Sequence, residues 1–78
     1  MKERILTLVE AHRHWEKNKR HAPLTRSARS AFSRSSNWTK TKGGFPALVA
    51  HEADGSYYAI VFRVRESGRI YMQDAHQS

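Results

Sequence analysis

Ser56-Tyr57-Tyr58-Ala59-Ile60-Val61-Phe62-Arg63-Val64-Arg65 is the stretch that decides the fold. Aromatic and β-branched residues dominate it, as they do in strands. Its side chains fall into two rows. Tyr58, Ile60, Phe62 and Val64 make an apolar row, and Tyr57, Ala59, Val61, Arg63 and Arg65 make a more polar one. Successive side chains of a strand point to opposite faces, so one row is expected on a core and the other toward water. Turn signals bound the stretch on both sides: Ala53-Asp54-Gly55 before it and Glu66-Ser67-Gly68 after it.

Working outward, Arg69 to Gln73 reads as a short last strand. Upstream, Phe45 to Glu52 is a second apolar run, and Asn37 to Lys42 alternates with a period of two. Gly43-Gly44 between them reads as a tight hairpin turn with positive φ at one or both glycines. Three short turns in succession describe an antiparallel meander over 37–73, followed by a frayed tail at 74–78.

The period is helical before that. Ile5, Leu8, Val9, His12 and Trp15 recur at steps of three and four, which predicts a helix over 2–20. Its stripe is expected to cover the Tyr58–Val64 row. Pro23 pushes Ala22 out of helical geometry and ends it. Residues 22–36 form a basic Arg/Ser segment. Leu24, Ala28, Ala31, Phe32 and Ser35 make a weak helical stripe there, with Thr25 as N-cap. The preferred reading is a short helix over 25–34. Five serines support the competing reading, a flexible Arg/Ser arm that orders on binding. The fold class is α+β: residues 1–78 form a single small domain, with one or two N-terminal helices packed on a three- or four-stranded antiparallel β-meander.

Charge is distributed unevenly. The first 44 residues hold 11 of the 14 Lys/Arg and 3 of the 7 acids, within a net charge of +7. Like charges crowded at one end repel each other, so this end is expected to meet an anionic partner. A chain of 78 residues buries only about 60% of its unfolded surface, and homodimerisation or partner binding is expected to supplement its small core. There is no cysteine, so a disulfide framework and a thiolate zinc site are excluded. No apolar stretch nears the roughly 20 residues of a membrane span. No signal peptide is read at the N-terminus, and a cytoplasmic location without membrane partners is expected.

Two groups of residues are candidates for binding. On the polar row, Tyr57, Arg63 and Arg65 are expected near Arg69, Tyr71 and Gln73, with Trp38, Lys40 and Lys42 joining from the first strand. Rings stack on bases and cations pair with phosphates. The second group is Arg26, Arg29 and Arg34, continued by Lys40 and Lys42, whose guanidiniums suit bidentate phosphate contacts. The plain alternative for both is a solvated surface. The expected function is a non-catalytic module that binds nucleic acid, RNA or DNA, or a protein–nucleic-acid complex. One rival is a small inhibitor or adaptor of the mobile-element kind, docking on an acidic protein surface that normally receives nucleic acid. A second rival is a metal-free ribonuclease toxin that draws its acid, base and cation from His51, His76, Tyr57, Lys42 and Arg63. His12 and His14 lack the spacing of a helical zinc pair, so no metal and no cofactor are expected.

Overall fold

The computed structural model describes residues 4–75. Four strands, β1 (Asn37–Lys40), β2 (Pro46–His51), β3 (Tyr57–Val64) and β4 (Ile70–Asp74), pair in sequence order, each antiparallel to the next. All three connections follow one design. The Thr41, Glu52 and Arg65 amides donate to the carbonyls of Phe45, Ser56 and Arg69, four residues on. The Gly44, Gly55 and Gly68 amides close back onto the Thr41, Glu52 and Arg65 carbonyls. Each of these glycines has a φ near +90°, the left-handed residue with which a three-residue hairpin loop ends.

The first turn is a three-residue loop where the Gly-Gly pair suggested two residues. Only Gly44 has a positive φ, because a Lys42-Gly43-Gly44 loop needs one left-handed residue and a two-residue loop would need two. Gly43 answers a steric need, since a Cβ there would lie 2.9 Å from the Phe45 ring.

The register fixes the two faces of the sheet. Trp38 lies opposite Leu48, Leu48 opposite Ile60, and Phe62 opposite Met72. This row carries the core: Leu48, Ile60 and Phe62 are buried, with Val64 nearly so. Phe62 is fully enclosed, with the rings of Trp38 at 5.1 Å, His14 at 6.3 Å and Trp15 at 6.5 Å. Pairing runs further than the sequence suggests. Asp74 belongs to β4 and the Ala75 amide donates to the Ala59 carbonyl, so the expected fraying at 74 does not occur; residues 76–78 lie outside the described residues.

The first helix is shorter than predicted. Helix α1 spans Leu8–Asn18 and continues as one 3₁₀ turn, Lys19–His21. Thr7-Leu8-Val9-Glu10 forms a capping box: the Thr7 hydroxyl accepts from the Glu10 amide, and the Glu10 carboxylate accepts from the Thr7 amide. The bond donated by the Thr7 amide and the Arg4 guanidinium hold the Glu10 carboxyl below its ordinary pKa. Starting at Leu8 sets a different buried stripe. Leu6, before the cap, and Ala11 are buried, and Trp15 packs on the core. Ile5, Leu8 and Val9, expected against the sheet, are instead 48, 39 and 60% exposed. His12 sits at the helix–sheet boundary, 6.0 Å from the Trp38 ring.

Helix α2 (Arg26–Arg34) is the expected second helix rather than a flexible arm. The Thr25 hydroxyl caps it by accepting from the Ala28 amide. Ala28, Ala31 and Phe32 turn inward and leave the intervening serines to solvent. Phe32 meets Trp15 at 5.8 Å. Both helices therefore lie on the same side of the sheet and share one core. No described element covers the other side. None of the described helices is long and apolar enough to cross a membrane.

Candidate nucleic-acid interface

The uncovered side of the sheet is built from the odd-numbered positions of β3. Tyr57, Ala59, Val61 and Arg63 share it with their cross-strand partners His51, Val49, Ala47 and Tyr71, and with Gln73 opposite Val61. Arg65 and Arg69 continue the row through the hydrogen bond from the Arg65 amide to the Arg69 carbonyl. From Tyr57 to Arg65 the row is about 26 Å long at the rise of an extended strand. Its middle is low and apolar, with Ala47 and Ala59 almost wholly covered by their neighbours.

Rings and cations occupy the ends. The Arg63 guanidinium lies 4.6 Å over the Phe45 ring and donates to Gln73 Oε1 at 3.4 Å. The Arg65 guanidinium lies 4.2 Å over the Tyr71 ring. At the far end His51 and Tyr57 pack at 5.6 Å with a 45° tilt. Guanidinium–ring contacts at exposed positions contribute about 0.5–1 kcal/mol each, and they hold a flexible arginine flat against the sheet. A guanidinium held this way offers a planar cationic surface on which a base stacks.

The described acids lie off this row. Asp74 lies opposite Ile60, so it belongs to the helix side. Glu52 turns to α2 and pairs with Arg34. Glu66 and Asp54 sit in turns, and Asp54 is held below its ordinary pKa by the Ser56 hydroxyl and amide that donate to it. Among the described residues, the strand positions of the uncovered face thus carry arginines and no carboxylate.

The structure divides the sequence-predicted residues between two surfaces. Tyr57, Arg63, Arg65, Arg69 and Tyr71 share the uncovered face. Trp38 does not join them, which corrects the expectation. Its register opposite Leu48 turns its ring into the core, and Lys40, two positions on, shares its side. Lys42 is exposed in the β1–β2 turn. Arg26, Arg29 and Arg34 lie on α2, across the sheet from the tyrosines. Two of them serve the fold: Arg29 donates to the Lys19 and Ala22 carbonyls, and Arg34 bonds Ser30 and Glu52. Arg26 is exposed and forms no ion pair among the described residues.

Phe45 and His51 are the ring-bearing members of the face that the sequence reading missed. The signal was their position two residues before Ala47 and two after Val49, in the same alternating row. The groups invoked for acid–base chemistry separate: His51 and Tyr57 touch, while Arg63 lies six residues along β3, about 20 Å away. Lys42 is at Arg63's end, and His76 lies outside the described residues. Among the described residues no three His, Asp or Glu side chains group where a metal ion could be held.

Compared with protein-family models, with curated proteins and with solved structures, the chain matches none.

Proposed function

We propose that this chain is a non-catalytic binding module whose uncovered sheet face takes single-stranded nucleic acid. The observation that carries the reading is the pairing of guanidinium with ring, Arg63 over Phe45 and Arg65 over Tyr71, on a face without strand carboxylates. Arginine supplies charge for the phosphates and a plane for the bases. The low middle formed by Ala47, Val49, Ala59 and Val61 leaves room for the strand between the two ringed ends. A single strand is favoured over a duplex because only unpaired bases offer their faces to stacking. The excess charge of the N-terminal half adds a long-range attraction for any polyanion.

Fluorescence anisotropy with a labelled single strand and its duplex, at several salt concentrations, tests this reading. The single strand is expected to bind more tightly. If Arg63, Arg65 and Arg69 each neutralise one phosphate, log K should fall against log salt with a slope of about −2. Absence of binding at low salt, or binding indifferent to salt, would overturn the proposal. Tight capture by one acidic protein, without nucleic-acid binding, would favour the inhibitor reading instead.

A further inference from the structure

We infer that the groove between the two helices, on the opposite side of the molecule from the uncovered sheet face, is a binding site for a nucleoside phosphate. The groove has a volume of about 540 Å³, within the range of small-ligand sites. Its apolar wall is formed by Trp15, Leu24 and Phe32. The Trp15 and Phe32 rings meet at 5.8 Å and 49°, so they form an angled surface rather than a closed stack. Trp15 and Leu24 are only partly buried by the protein's own atoms, which leaves apolar surface inside the groove for a planar ring.

The rim is cationic. Lys19, Arg20 and Arg29 line it, and Glu16 is the only acid among the described residues of its lining. Glu16 is engaged by Lys19 at 3.3 Å and faces His12 at 4.0 Å, so the excess charge rests on Arg20 and Arg29. Arg29 is fixed in place by donating to the Lys19 and Ala22 carbonyls at 3.1 and 3.3 Å. A guanidinium has five donors, and the others remain for an anion. Arg20 forms no ion pair among the described residues and is exposed at the groove mouth. The Ser33 and Ser36 hydroxyls add neutral donors on the α2 side. An apolar wall beside two uncompensated guanidiniums matches a ligand that joins a planar ring to a phosphate. Free nucleotides and the phosphorylated end of a strand both present this chemistry. The site shares no residue with the uncovered sheet face, so it stands or falls separately from the function proposed above.

The test follows the two tryptophan indole N–H signals by NMR. Trp15 lines the groove, while Trp38 packs on Phe62 outside it and serves as internal control. Adenosine 5′-monophosphate, adenosine, inorganic phosphate and a 5′-phosphorylated oligonucleotide are titrated in turn. The monophosphate is expected to shift Trp15 and spare Trp38, and adenosine is expected to bind about tenfold more weakly because it lacks the charged partner. If only the phosphorylated oligonucleotide shifts Trp15, the site is upheld and its source is a strand end. Arg20→Ala, at an exposed position, should weaken the monophosphate about tenfold, and Ser36→Glu should abolish binding. Tyr71→Ala, on the other face, should leave it unchanged. Absence of a Trp15 shift with either phosphate-bearing nucleotide at millimolar concentration, equal shifts at Trp38, or an unaltered affinity in Arg20→Ala would each overturn the assignment.

Discussion

Replacing Tyr71 with alanine separates binding from folding on the uncovered face. Tyr71 lies opposite Arg63 and under the Arg65 guanidinium at 4.2 Å, and it is half-buried. Removing the ring forfeits a cation–π contact of about 0.5–1 kcal/mol. It also exposes part of the strand, at a cost of about 1 kcal/mol. A folded chain of 78 residues at the usual stability per residue has about 4–12 kcal/mol in total, so a loss near 2 kcal/mol leaves the variant folded. Binding should suffer more. A base stacked at this position is worth about 1–3 kcal/mol, which corresponds to a roughly 5- to 150-fold loss of affinity for a single strand. Anisotropy at fixed salt reads the affinity, and a urea melt of the same sample reads the stability. Arg65→Ala completes the comparison, lowering affinity and reducing the salt slope by about 0.7. A Tyr71→Ala protein that stays folded and binds single strands as well as the parent would refute stacking at this end of the sheet.

Other perturbations report on the frame that holds this face. Phe62→Ala removes the enclosed ring that meets Trp15, Trp38 and His14 and should cost about 3–5 kcal/mol, a loss readable by denaturant unfolding. Gly44→Ala should cost about 1–2 kcal/mol because an L side chain is strained at its φ of +87°. Gly43→Ala should cost about 1 kcal/mol, because its Cβ must push the Phe45 ring from under the Arg63 guanidinium, and it should alter the ring-current shifts of the Arg63 protons in NMR spectra. Burial lowers the pKa of His14 from its ordinary 6.5. The folded protein then binds fewer protons there than the unfolded chain. Stability from this group is full above 6.5 and lost as pH falls through the lowered folded value. His14→Gln should flatten that part of a pH–stability profile.

The apolar row of β3 was legible because a long alternating run of aromatic and β-branched residues has one reading. The capping box at Thr7-Leu8-Val9-Glu10 was equally visible, yet the three-and-four spacing of Ile5, Leu8 and Val9 extends the apparent helix past it. Periodicity reports a repeat without reporting where the backbone enters it, and the cap decides that. The side occupied by Trp38 was hidden for a related reason. Alternation in β1 defines two rows, but the number of residues in the turn before Phe45 determines which row meets the core. Phe45 joined the uncovered face by the same rule. The Arg34–Glu52 pair spans 18 residues, and no local pattern announces a contact made only when α2 docks on the sheet.

The strict neighbour-to-neighbour wiring of the sheet bears on how quickly the chain finds its fold. Every strand pairs with the one next to it in sequence across a loop of three residues. Closing so short a loop costs little entropy, and an isolated hairpin of this kind forms in roughly 1–10 μs. Contacts that are close in sequence favour rapid folding at a given size. The helices are joined to β1 by only Ser35 and Ser36, so their docking also searches a small volume. No strand has to wait for a partner that lies far along the chain.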